Sequence, residues 1–158
     1  MSAMSDGEPI TREGLEALKA ELARLEGDAR KEIARRIQIA RELGDLSENA
    51  EYHIAKEDQA HLETKIKRLA ARLRNARVVE APVDSDVVAF GSTVTVADEE
   101  SGREATWTLV GPTEADVGAG KLSAESPVAK ALMGRRPGDQ VEVHTPGGVR
   151  RQRVVRLG

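Results

Sequence analysis

The apolar positions of this chain follow two different rhythms. In the first half, Leu15, Leu18, Leu22, Leu25 and Ala29 recur at alternating spacings of three and four, the seam of a coiled coil. The phase then slips to Ile33, Ile37 and Ala40. That is a step of four where three is due, which predicts a stutter that locally unwinds the supercoil. A second stripe, Leu62, Ile66, Leu69, Leu73 and Ala76, keeps the rhythm unbroken. Between these positions stand mostly Glu, Lys, Arg and Gln, so each helix has one apolar face and needs the other to bury it. Thr11, just after Pro9-Ile10, is predicted to cap the first helix.

The stripes are separated by Leu43-Gly44-Asp45-Leu46-Ser47. Gly44 is placed to be the left-handed residue that ends a helix. Asp45 is predicted to cap the next one, with Glu48 three residues later completing a capping-box-like pair. So short a loop makes the two helices antiparallel neighbours. Arms of about 30 residues at ~1.5 Å rise give a hairpin of roughly 45 Å.

After Ala81-Pro82 the texture changes to Gly, Pro, Val and Thr, and the domain boundary is placed there. Ser92 to Val96 alternates as a strand, Asp98 to Gly102 turns, and Ala105 to Leu109 returns as a second strand ended by Gly111-Pro112. Ser126-Pro127 is an N-cap with proline at the first helical position, opening a short helix through Leu132. Turns at Arg136–Asp139 and Thr145–Gly148 flank a strand at Gln140 to Val143, and a last strand runs from Val149 to Leu157. The fold class is therefore α+β: an N-terminal antiparallel coiled-coil hairpin over 9–80, then a small sheet with a helix over it in 81–158. Residues 1–8 are expected to be disordered.

Composition narrows the function. The chain has 158 residues, no cysteine, one Phe, one Trp and one Tyr, and a formal net charge of −3. Without cysteine there are no disulfides, thiolate zinc sites or cysteine nucleophiles, and a reducing, cytoplasmic setting fits. Three aromatics nearly exclude base-stacking platforms and aromatic-lined pockets. No global basic field draws the chain to DNA or an anionic membrane. No apolar run approaches the ~20 residues of a membrane span, and the N-terminus lacks the parts of a signal peptide.

The order of the charges is more informative than their sum. From Glu42 to Ala55 the acids Glu42, Asp45, Glu48 and Glu51 occur without one Lys or Arg, while Arg30, Lys31, Arg35, Arg36 and Arg41 precede them and Lys56 follows. An acidic tip thus sits on a shaft with basic residues. One reading is ordinary capping, since acids in a first turn stabilise the helix dipole. The other is that Asp45 and Glu48 form part of a metal site or do acid–base work. Two carboxylates are too few for a dedicated cage, but they suit a half-site that completes a Mg²⁺ sphere supplied largely by another molecule.

Other candidates are weaker. His53 and His61 are eight apart, outside the i, i+4 spacing of a helical two-histidine metal site. His144 stands alone, and Ser126 has no His–Asp constellation. Thr145-Pro146-Gly147-Gly148 lacks the lysine and spacing of a phosphate loop. The Arg150, Arg151, Arg153 and Arg156 cluster could touch nucleic acid, but on an alternating terminal strand it is more often a solvated face or an edge guard.

The segment from Leu43 to Lys56 (LGDLSENAEYHIAK) closely resembles the tip signature of the bacterial Gre factors, of the GreA type. Gly120-Lys121-Leu122-Ser123 through Ser126-Pro127-Val128-Ala129-Lys130-Ala131-Leu132-Met133-Gly134 looks like a second family signature. Val141 to Val143 with Thr145 to Gly148 is similar to the family's C-terminal ending. The resemblance covers about residues 9–157, and its one visible departure is Ser47, a common variant.

The resemblance implies a coiled coil followed by an FKBP-like domain that docks on RNA polymerase, with the coil entering the secondary channel. It implies stimulated hydrolysis of backtracked nascent RNA at its 3′ end, carried out by the polymerase with this chain as an accessory factor. Asp45 and Glu48 match the carboxylates that share the second Mg²⁺ with the polymerase active site and position the attacking water, with Glu51 a further contributor. Arg41 and Lys56 match positions that meet the displaced RNA. Glu125, Ser126 and Pro127 match the surface for the polymerase rim helices. A monomer without membrane association is expected. The alternatives are a Gre-like inhibitor of the same channel, a peptidyl-prolyl isomerase and a plain coiled-coil adaptor. An isomerase pocket is poorly served by Phe90 and Trp107, the only aromatics of 81–158.

Overall fold

The computed structural model describes residues 7–82 and 85–158. The chain forms two compact units, one comprising Leu15–Ala76, the other the chain up to Gly14 together with Arg77–Gly158. The expected disorder of residues 1–6 lies outside the described residues. Glu8, assigned by sequence to that segment, instead begins strand β1 (Glu8–Ile10).

Helix α1 (Arg12–Arg24) starts after Thr11, whose Oγ1 accepts the Gly14 N–H at 3.0 Å. This is the expected cap. The stutter takes a definite form: Leu25–Ala29 is one turn of π-helix between α1 and α2 (Arg30–Glu42). A π-turn absorbs one extra residue within the backbone, so the apolar stripe regains its phase there. Leu22 and Leu25 then pack with Ile66 and Leu69 of α3 (Ala50–Asn75), flanked by Leu18, Ala29, Leu62 and Leu73. Nearer the tip the seam narrows to Ile37, Ala40 and Ala55. Ion pairs join the two arms along its sides, with Arg30 bidentate on Glu63 at 2.8 and 2.9 Å and Arg36 on Asp58 at 2.9 Å. Arg30 holds the Glu63 carboxyl below the ordinary glutamate range.

The second unit is built on a five-stranded sheet of order β5-β4-β3-β7-β6. Its strands are β3 (Thr93–Asp98), β4 (Glu104–Val110), β5 (Lys121–Ser123), β6 (Gln140–Thr145) and β7 (Gly148–Leu157). The β3–β4, β3–β7 and β6–β7 pairs are antiparallel, while β5 joins β4 in parallel. A bulge at Thr95/Val96 shifts the β3–β7 register. Two features depart from the sequence reading. Strand β5 has no expected counterpart, because three residues carry no period. Strand β7 lies inside the sheet, so the arginine cluster is no edge guard. Arg150, Arg151 and Arg156 face Asp98, Glu142 and Glu104 at 3.6 to 3.9 Å, a solvated and paired surface.

The core under the sheet contains Val94, Val96, Leu109, Val141, Val143 and Val154, covered by Ala129 and Leu132 of α4 (Pro127–Leu132). β-Branched residues replace aromatics here because they pack well on a pleated surface. Trp107 packs at the edge of this cluster. Strand β1 forms a separate two-stranded sheet with β2 (Ala76–Val78). Its end is held by Glu114, whose carboxylate accepts from the Thr11 hydroxyl, the Thr11 N–H at 2.9 Å and the Gly111 N–H at 3.0 Å. A Cβ on Gly111 would lie 2.4 Å from the Pro9 carbonyl oxygen, so only glycine fits.

Candidate functional site

The tip loop runs from the end of α2 to the start of α3. Leu43 is the C-cap of α2, followed by Gly44 at φ +81° as expected, and Asp45 continues at φ +28°. Asp is among the few residues that tolerate this region. Asp45, Leu46, Ser47 and Glu48 then form a turn closed by the Glu48 N–H donating to the Asp45 carbonyl at 3.2 Å. Asp45 and Glu48 therefore stand at the two ends of one turn rather than on the first turn of a helix.

That geometry corrects the capping expectation. The N-cap of α3 is Asn49, whose Oδ1 accepts the Tyr52 N–H at 3.1 Å. Its Nδ2 donates to the carbonyls of Ala40 at 2.6 Å and Gly44 at 3.3 Å. Neither Asp45 nor Glu48 caps a helix. Asp45 accepts only the Ser47 hydroxyl at 2.9 Å, and Glu48 has no side-chain partner among the described residues. Both are exposed, as is Glu51 in the first turn of α3.

Two cations flank this acidic end. The Arg41 guanidinium lies over the Tyr52 ring, 5.9 Å from its centroid, a cation–π contact. Tyr52 in turn meets His53 edge-on at 5.6 Å, and His53 Nε2 lies 3.3 Å from the Ser47 carbonyl. Lys56 donates to Gln59 at 3.0 Å. Both cationic side chains are exposed. Among the described residues no group of three or more His, Asp and Glu is arranged to hold a metal.

The sequence matched Asn49 to the active members of the resembled family but gave it no capping role, and it missed the apolar residues of this end. Ile39, Leu43, Leu46 and Ile54 are 51, 65, 40 and 56% exposed. Ile39 and Ile54 line a shallow depression of about 240 Å³ with Arg36 and Glu51. Their positions outside the 3-4 rhythm of the seam are the signal that could have found them.

The second expected site stands on the sheet unit. Ser126 Oγ accepts the Ala129 N–H at 3.2 Å and Pro127 opens α4, so both have the capping roles their sequence predicts. The Glu125 N–H donates to Ser123 Oγ at 3.1 Å, and its side chain is exposed.

Residues 8–78 match the model described as Transcription elongation factor, N-terminal, and residues 83–157 match Transcription elongation factor, GreA/GreB, C-term. The chain belongs to the GreA/GreB family. Transcription elongation factor GreA of Geobacillus kaustophilus is 48% identical over 148 residues, covering 93% of this chain and 94% of the relative. The protein of the same name from Cereibacter sphaeroides is 49% identical over 147 residues, with coverage of 93% and 94%. Among solved structures, the GreA factor homolog 1 protein of Thermus thermophilus aligns over 96% of this chain and 99% of its own. It is 32% identical, at a TM-score of 0.43. Membership rests on the family models and the curated relatives. As a member of this family the chain is a transcription elongation factor of the GreA type.

Proposed function

We propose that this chain inserts its hairpin tip into the secondary channel of RNA polymerase and there stimulates cleavage of backtracked nascent RNA. The observation that carries the reading is the employment of the tip residues. Asn49 does the capping that the acids were expected to do. Asp45 and Glu48 are left exposed at the two ends of one turn. Acids with no structural task at the end of a charged shaft are available to act on another molecule.

The donor set fits a shared Mg²⁺. The ion prefers hard oxygen ligands, keeps several waters and takes one or two carboxylates from a given protein, and the tip offers such a pair. When bound, the ion supplies Lewis acidity and an activated water for phosphodiester hydrolysis. Asp45 and Glu48 would hold it, and Glu51 adds negative charge nearby. Hydrolysis is then the polymerase's own activity, with this chain an accessory factor that completes the site.

The basic groups serve the nucleic acid. Arg41, braced on Tyr52, and Lys56 present exposed cations to the phosphates of the displaced RNA 3′ end. Arg suits phosphate because its guanidinium offers paired donors. The sheet unit docks through the Glu125-Ser126-Pro127 corner on the rim of the polymerase. Its capped helix start gives that corner a fixed backbone.

The test adds wild-type and Asp45→Asn protein to backtracked elongation complexes across a Mg²⁺ titration. The expected result is RNA cleavage stimulated by wild type alone, with equal binding of both to polymerase. Inhibition of elongation without cleavage by the wild type would overturn the proposal in favour of a channel-blocking inhibitor.

A further inference from the structure

We infer that Asn49 is a positioning residue for the reaction: its side-chain amide clamps the two helix ends together and so sets the turn that presents Asp45 and Glu48. The inference rests on the function proposed above and goes beyond it, because Asn49 touches neither metal nor RNA in that reading.

A helix C-terminus leaves its last carbonyls without intrahelical partners, and a helix N-terminus leaves its first N–H groups. At the tip both ends must be satisfied within one short loop. Asn49 contributes to both with a single half-buried side chain: Nδ2 donates to the Gly44 carbonyl and to that of Ala40, which also accepts the Leu43 N–H at 3.1 Å, and Oδ1 accepts the Tyr52 N–H. Only a side-chain amide offers donor and acceptor in this geometry. The orientation follows from its neighbours, since a reversed amide would set its NH₂ against the Tyr52 N–H and its oxygen against the Ala40 and Gly44 carbonyls.

The clamp encloses the unusual backbone of the loop. Gly44 and Asp45 lie in succession at φ +81° and +28°. Such conformations persist when the surroundings over-determine them. Within the loop, the Asn49 N–H approaches the Leu46 carbonyl at 3.4 Å and the Ser47 hydroxyl donates to Asp45 Oδ1. The direct grip of Asn49 on Ala40 and Gly44 thus lies just outside the turn, and the contacts inside it orient one carboxylate. A catalytic group must be held to within a fraction of an ångström of its productive position. Asp45 and Glu48 are exposed on this loop, which His53 Nε2 meets at the Ser47 carbonyl and which the clamp fixes at its two ends.

Serine separates the two duties of Asn49. It ranks beside asparagine as an N-cap, but its hydroxyl cannot also reach the Ala40 and Gly44 carbonyls. Asn49→Ser should therefore keep helix content and melting temperature close to wild type and leave the half-saturating concentration for polymerase unchanged. At saturating factor its cleavage rate should fall about tenfold, and the Mg²⁺ concentration for half-maximal cleavage should rise. Asn49→Ala, which removes cap and clamp together, should show the same cleavage defect and a lower melting temperature as well. The inference is overturned if Asn49→Ser cleaves within twofold of wild type at saturation with an unchanged Mg²⁺ dependence. It is also overturned if the loss in either variant is recovered simply by cooling below its melting transition. If wild type itself stimulates no cleavage, the proposed function fails and this inference fails with it, an outcome distinguishable from the first two.

Discussion

Asp45 and Asp98 both stand in turns of this chain, and they are employed in opposite ways. Asp98 ends β3, and its Oδ1 accepts the N–H groups of Glu100 at 2.8 Å and Ser101 at 3.1 Å, while Arg150 lies 3.6 Å from its other oxygen. These partners, the Ser101 and Glu100 N–H groups before Arg150, hold the carboxyl below the ordinary aspartate range. Asp45 accepts one serine hydroxyl and no backbone N–H. The difference teaches how to tell a structural acid from an available one. A carboxylate that answers the backbone's unmet donors is part of the fold, whereas one left facing water beside a capped helix is free for other chemistry.

The comparison is broken most directly at Asp45. Asp45→Asn is expected to lower cleavage stimulation by on the order of 100-fold, the upper range seen even for outer-shell partners of a metal. Its melting temperature should match wild type in a thermal scan followed by circular dichroism. A melting point that falls together with activity would return Asp45 to a structural role.

Two glycines extend the contrast between sterically and conformationally demanded positions. Gly111→Ala drives a Cβ against the Pro9 carbonyl, so about 1–3 kcal/mol of stability should be lost in denaturant unfolding, the usual cost of overpacking. Gly44 has open space around it and only its positive φ to defend. Gly44→Ala should cost about 1–2 kcal/mol by that term alone, and should reduce cleavage because it disturbs the turn bearing Asp45.

The smallest effect expected is at Asp98. Because its folded-state carboxyl titrates lower than an unfolded aspartate, the stabilisation is present above about pH 4. It is lost as pH falls through the folded value. Asp98→Asn should therefore melt lower than wild type near neutrality, with the gap closing only as pH falls below about 4. Cleavage stimulation should be unaffected at neutral pH. A gap that is constant with pH would mean that the carboxylate's charge contributes nothing.

Much of the architecture was legible because its signals are local. The 3-4 apolar rhythm, the caps at Thr11 and Ser126 and the left-handed Gly44 each depend on residues within a few positions of one another. The phase slip after Ala29 located a backbone irregularity, although the expected local unwinding takes the form of a π-turn over Leu25–Ala29. Asp45 was misread as a cap because Asp45, Ser47 and Asn49 are all residue types able to cap a helix. Choosing among them depends on which side chain also reaches the carbonyl of Ala40, nine residues back from Asn49.

By itself, then, the sequence determined the two regimes, the family signature and the candidate acids, since residue order and type suffice for those. Only the tertiary structure decided the sheet order that puts β7 inside, the pairing of β1 with β2 and the clamp that frees Asp45 and Glu48. The strand pairings are settled by hydrogen bonds between segments distant along the chain, and the clamp by a side chain that reaches back nine residues across the loop. A backbone group pairs with whichever partner the closed structure brings within hydrogen-bonding distance, and local propensity carries no record of that choice.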